Sequence, residues 1–183
     1  MSENRGIFSL EEFYDLQVSG ETTKIFDTFR YVTITTGGPN TGYWASGYDG
    51  SPTSIVDRLD FNNDTSTAVA KGPLSRTAYN VGAIGNSSYG YIGGGGNPEV
   101  STVDRLDYSN DTAAAVAKTT LSTPARWRVG SVSNLSYGYI AGGKEPSSVS
   151  TVDRLDFSND TATMVAKAPL SIARTYIAGA GTS

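Results

Sequence analysis

The carboxylates are the side chains of this 183-residue chain best placed to do chemistry, and they recur in register. Asp57 and Asp60, Asp104 and Asp107, and Asp153 and Asp156 each sit in a copy of Val-Asp-Arg-Leu-Asp. Paired carboxylates serve glycoside hydrolysis when two of them face one bond at a separation of roughly 5 to 10 Å. Three like copies point elsewhere, since a reaction needs one asymmetric site and a fold needs the same brace in every repeat. In a strand, residues three apart also point to opposite faces. The expectation is therefore structural: Arg58, Arg105 and Arg154 pair with neighbouring aspartates, and Asp60, Asp107 and Asp156 bond turn backbone. Other chemistries lack their residues. The chain has no histidine and no cysteine, which removes imidazole bases, thiol nucleophiles, Ser-His-Asp triads and the usual zinc, copper or haem ligands. A calcium site from Asp57, Asp60, Asp64 and their copies lacks alternating oxygen ligands closed by a glutamate. Gly93 to Gly96 lack the Lys-Ser/Thr and helix of a phosphate loop. The sequence thus predicts no catalytic residue, no metal and no cofactor.

The pieces that must position these residues form a repeat. Val-Asp-Arg-Leu-Asp begins at Val56, Val103 and Val152, followed each time by an aromatic residue and Asn-Asp-Thr. Upstream, Tyr43, Tyr91 and Tyr139 recur at one even interval, and downstream Leu74-Ser75, Leu121-Ser122 and Leu170-Ser171 close each unit. The boundaries fall near 41–88, 89–136 and 137–183, after an N-terminal segment of residues 1–40. Short alternating apolar stretches separated by Gly, Pro, Ser, Asn and Asp read as strands and turns. Four strands fit each unit. In the third they are expected near Tyr137 to Ala141, Ser150 to Phe157, Thr161 to Ala166 and Ala173 to Ala178. Between the second and third of these, Ser158-Asn159-Asp160 is expected to form a tight hairpin turn, because Asn and Asp tolerate positive φ. A four-stranded unit of this length matches a propeller blade.

Residues 1–40 stand outside the repeat. Ser9-Leu10-Glu11-Glu12 is a capping box that predicts a helix from Leu10 to about Val18, ended by Gly20. Phe8, Leu10, Phe13, Tyr14 and Leu16 give it more apolar surface than two turns can leave bare. Phe29 to Thr35 reads as a strand, and Gly37 to Asn40 as the linker into the first repeat.

Charge and hydropathy limit the partners. Lys and Arg number 14 against 18 Asp and Glu, a net charge of −4, with the positive side chains scattered singly, which argues against nucleic acid. No run approaches the roughly 18 to 20 apolar residues of a membrane span, and the first residues lack a secretory pattern, so no membrane association and synthesis in a cytoplasm are expected. Aromatic residues suit stacking on sugars or burial at an interface. Tyr43, Tyr91 and Tyr139 recur and read as core, whereas Trp127, flanked by Arg126 and Arg128, breaks the repeat and is the candidate for a specific ligand contact.

The run Gly-Tyr-Ile-x-Gly-Gly followed by an aliphatic strand and an aspartate turn resembles kelch-type repeats. Gly94-Gly95 and Gly142-Gly143 match the di-glycine, Ser46-Gly47 departs from it, and the later tryptophan is missing from every unit. The longer pattern, through Ser-Thr-Val-Asp-Arg-Leu-Asp-Phe-Ser-Asn-Asp-Thr and Leu-Ser, is similar to repeats of structural proteins of tailed phages, marine and cyanobacterial ones especially. That resemblance covers about 140 residues. The segment from Gly6 to Tyr14 is similar to anchoring segments of such proteins.

The resemblance implies an all-β chain of three kelch-like four-stranded blades behind a short helix and strand. It also implies a non-enzymatic virion protein, made in the host cytoplasm and docked on other virion proteins through Phe8, Leu10, Phe13, Tyr14 and Leu16. A carbohydrate-binding module for host surface glycans is the alternative, and a polysaccharide-degrading enzyme using the aspartates the third reading. Three blades cannot close on themselves, so a homo-oligomer, dimer or trimer, or a closely embracing partner is expected.

Overall fold

The structure is a computed structural model that describes residues 40–96, 98–122 and 124–181, all within the compact unit Gly37–Ser183. The expected helix from Leu10 to Val18, the strand from Phe29 to Thr35 and the five docking side chains lie outside the described residues.

The described chain is all-β, with three antiparallel sheets in series. In the first, β1 (Thr41–Tyr48) pairs with β2 (Pro52–Asp60), and β2 with β3 (Val69–Ala70). The second meanders through β4 (Gly82–Gly85), β5 (Tyr89–Gly93), β6 (Thr102–Asp107) and β7 (Val116–Thr120). The third begins with β8 (Gly130–Ser133) and β9 (Tyr137–Ala141). A small hairpin of β10 (Lys144–Glu145) and β11 (Ser147–Ser148) follows, and β12 (Val152–Asp156) and β13 (Val165–Lys167) complete the sheet. The sheets do not close into a propeller, because three packed in series leave the outer faces of the first and last apart.

Several details differ from the sequence expectation. Among the described residues the first sheet has three strands where four are expected, and the strand expected at Thr161 to Ala166 is the shorter β13, Val165–Lys167. The fourth strand of the third sheet is β8, which precedes Tyr137, and Ala173 to Ala178 form no strand. The second and third sheets therefore straddle the boundaries at 88 and 136. Residues 174–178 lie one repeat after 126–130 and renew their contacts: Gly143 N donates to Arg174 O at 3.0 Å as Gly95 N donates to Arg126 O at 2.9 Å. They open another copy of the motif instead of completing the third sheet. The hairpin turn also differs: Ser158 to Asp160 is a turn with no residue at positive φ, and at the equivalent positions Phe61–Asn63 and Tyr108–Asn110 are single 3₁₀ turns. Asp64 and Asp111 close them with φ of −75° and −72°, not in the left-handed region. The preceding Asp60 and Asp107 select this form by accepting from the amides of Asn62 and Ser109, both at 2.9 Å, which caps the short helix.

Strand alternation gives each sheet a forward face, toward the next repeat, and a backward face. Tyr43 opposes Arg58, Tyr91 opposes Arg105 and Tyr139 opposes Arg154 across their strand pairs, on the forward face. Trp44 opposes Asp57, Ile92 opposes Asp104 and Ile140 opposes Asp153 on the backward face. The core accordingly falls into two equivalent clusters, one between each pair of successive sheets. The first holds Val56, Leu74, Ile92, Leu106 and Ala115, with Tyr43, Val81 and Tyr108 against them. The second holds their counterparts Val103, Leu121, Ile140, Leu155 and Met164, with Tyr91, Val129 and Phe157. Gly94 and Gly142, with φ of +68° and +61°, form the di-glycine turns that dock the following segment. A Cβ on Gly142 would lie 2.7 Å from Arg174 O, so both the left-handed backbone and the close approach require glycine there.

Candidate interaction surfaces

The repeated charges meet between sheets. Arg58 Nη1 lies 2.7 Å from Asp111 Oδ2, Lys71 Nζ is 3.3 Å from the other carboxylate oxygen, and the Tyr43 hydroxyl donates to Oδ2 at 3.0 Å. One repeat further on, Arg105 Nη1 lies 2.7 Å from Asp160 Oδ2, to which the Tyr91 hydroxyl donates at 3.0 Å. Aromatic stacking accompanies both: Tyr43 on Tyr108 with ring centroids 4.9 Å apart, and Tyr91 on Phe157 at 5.3 Å. Each arginine thus binds the aspartate that ends the next repeat's turn. Burial opposes ionisation of Asp111, but hydrogen bonds from Tyr43 and Lys71 and the charges of Arg58 and Lys71 hold its pKa below the usual aspartate value. Burial and then the Asp160 carboxylate push the Tyr91 phenol well above its ordinary range, so it remains a donor.

A second brace crosses each junction in the other direction. Asp104 and Asp153 are fully buried. The Ser75 hydroxyl donates to Asp104 at 2.6 Å, with Arg76 Nε 3.9 Å from the same carboxylate. Ser122 donates to Asp153, and Arg126 Nη2 lies 2.7 Å from it. Arg126 also donates from Nε to Gly142 O at 2.9 Å and from Nη2 to Ile140 O at 3.2 Å.

These contacts account for most of the candidate catalytic aspartates. Asp104 and Asp153 are committed to serines and arginines of the preceding repeat, and Asp57, their counterpart, is only half-buried on the backward face of the first sheet. Asp60, Asp107 and Asp156 cap turns, and the hydroxyl and amide of Ser109 and of Ser158 hold Asp107 and Asp156 below the usual aspartate pKa. The interlocking roles of Asp111, Asp160, Ser75 and Ser122 were not assigned from sequence. Their signal was present, as the recurrence of Asn-Asp-Thr and Leu-Ser at the repeat period, but a period does not name a partner.

The proposed ligand triad separates. Arg126 is fully buried in its pair with Asp153, which removes it from any ligand-facing surface. Burial wins here because one guanidinium satisfies a carboxylate and two carbonyls at once. Trp127 and Arg128 belong to a row of flat groups across the repeats. Tyr48 meets Tyr79 and Tyr79 meets Trp127, each at 5.6 Å between ring centroids. The Arg128 guanidinium then lies 3.6 Å from the centre of the Trp127 ring and 4.4 Å from that of Tyr176. Tyr48 and Tyr176, at the two ends, are 64% and 68% exposed. Beside the row, Glu99, Pro124, Trp127, Lys144 and Glu145 line a groove of about 520 Å³. Comparison of the chain with protein-family models and with the curated proteins gives no match.

Proposed function

We propose that the chain is a non-enzymatic structural protein of a tailed-phage virion, attached by the segment that precedes Thr41 and displaying three kelch-like blades for assembly or host contact. The observation that carries the non-enzymatic part is the use of the repeated polar residues. Tyr43, Arg58 and Asp111, like Tyr91, Arg105 and Asp160, bond one another between sheets, the deployment a repeated scaffold needs and a single active site does not. The virion part rests on the similarity of the repeat and of the segment from Gly6 to Tyr14 to phage structural proteins. The row from Tyr48 to Tyr176 is the display surface in this reading. Glycan binding has weaker support, since Arg126 is buried and Arg128 covers one face of the Trp127 ring.

Deletion of residues 1–20 tests the attachment. The truncated chain should be absent from purified particles while its far-ultraviolet spectrum keeps the β signature of the full chain. Incorporation at the level of the full chain would overturn the anchoring role.

A further inference from the structure

The first and third described sheets carry separated halves of the junction that the chain makes twice internally. On the forward face of the third sheet, Tyr139 opposes Arg154 as Tyr91 opposes Arg105. Arg154 lies 4.3 Å from the centre of the Tyr137 ring, as Arg105 lies 4.3 Å from that of Tyr89. The likeness stops there. Arg105 reaches Asp160, whereas Arg154 makes no salt bridge among the described residues, and its Nε is buried without a hydrogen bond. The nearby charge of Arg154 on Asp156 is the counterpart of that of Arg105 on Asp107. At the other end, Phe61 and Asp64 hold the repeat positions of Tyr108 and Asp111 and of Phe157 and Asp160. Phe61 is 49% exposed, and Asp64 is exposed with no partner among the described residues.

The second brace is divided in the same way. Ser171 and Arg174, in the positions of Ser122 and Arg126, are exposed beyond the third sheet. Asp57 and Trp44 face away from the second sheet, Trp44 being 56% exposed where Ile92 and Ile140 are buried. A shallow cavity of about 390 Å³ on the forward face of the third sheet is lined by Tyr139, Val152, Leu170 and Ile177. Their counterparts Tyr91, Val103, Leu121 and Val129 are buried between sheets.

We propose that the forward face of the third sheet receives the first sheet of a second copy of this chain, Phe61 stacking on Tyr139 and Asp64 bonding Arg154 and the Tyr139 hydroxyl. The occupant is a second copy because both complementary halves, charge and apolar face alike, belong to one sequence and hold the repeat positions that meet at its internal junctions. Two such junctions close two chains head to tail into a ring of six sheets. The same contact without closure would continue as a chain of copies. The inference does not depend on the virion reading, because it concerns the purified chain alone.

Light scattering coupled to size exclusion tests it over about 1 to 100 μM, spanning ordinary association constants. The chain should elute at twice its mass of 19.3 kDa, or at a higher multiple if the ring does not close. Asp64→Arg and Arg154→Asp should each weaken self-association by about thirtyfold or more, as expected for a reversed charge at an interface. Mixing the two variants should restore it, since one junction then carries the reversed pair and the other the native pair. Asp64→Asn, a minimal change at an exposed side chain, should act in the same direction and guards against misfolding of the reversals. A wild-type chain monomeric throughout the range, or an assembly unchanged by these substitutions, would overturn the proposal.

Discussion

Asp153→Ala should be among the most damaging substitutions, lowering unfolding free energy by about 3–5 kcal/mol, the usual consequence of stranding one member of a buried ion pair. Arg126 is fully buried, so water cannot replace the carboxylate. The substitution leaves it with carbonyl acceptors at Gly142 and Ile140 and takes the acceptor from Ser122 as well. The loss is a large part of the roughly 5–15 kcal/mol that holds an ordinary domain. Asp104→Ala, at the equivalent position, should cost less, because the Arg76 side chain is 14% exposed and its Nε stands 3.9 Å from the carboxylate. Replacing both partners, as Arg126→Met with Asp153→Leu, should be milder than Asp153→Ala alone, since no uncompensated charge remains. Urea unfolding followed by tryptophan fluorescence measures all three.

Ile140→Ala should cost about 3–4 kcal/mol, within the range for emptying a close-packed aliphatic site. Ile140 has no exposed surface, and it fills the space between the second and third sheets. A Cβ on Gly93 would stand 2.7 Å from its Cδ1, and one on Gly82 3.5 Å from its Cγ2. The glycines of β4 and β5 therefore let the isoleucine of the next sheet approach the backbone. Gly93→Ala alone should also destabilise, by overpacking, but in the Ile140→Ala background it should recover part of the loss by refilling the vacated space. Calorimetric midpoints of the two single variants and the double variant check both signs.

Much of the architecture was legible in the sequence because it repeats. The even spacing of Tyr43, Tyr91 and Tyr139 delimits the units, and β9 spans Tyr137–Ala141 where the alternation places it. Alternation also puts Tyr91 and Arg105 on one face. It does not say which repeat covers that face, so the aspartates expected beside the arginines come instead from the following repeat. The segment from Ala173 to Ala178 alternates like a strand, yet strand formation needs a paired edge, and its counterpart β8 already supplies the fourth strand of the third sheet. Arg126 misled for a similar reason. An arginine next to tryptophan suggests a binding surface, and its burial depends on Asp153, which belongs to the next copy of the motif and is remote from it along the chain.

The central claim is that Arg58 and Arg105, the first two arginines of the repeated motif, each bond the aspartate of the following repeat. A pair of double-mutant cycles tests it most directly, because Asp160 has two motif arginines nearby in sequence or space. Arg105 and Asp160, 55 residues apart, should show a coupling of about 1–2 kcal/mol when each is replaced singly and together by alanine, as expected for a part-buried, charge-assisted pair. Arg154 and Asp160, within one copy of the motif, should be additive to within about 0.5 kcal/mol. Coupling between Arg154 and Asp160 with none between Arg105 and Asp160 would mean that the charges are satisfied within each repeat, and would contradict the account.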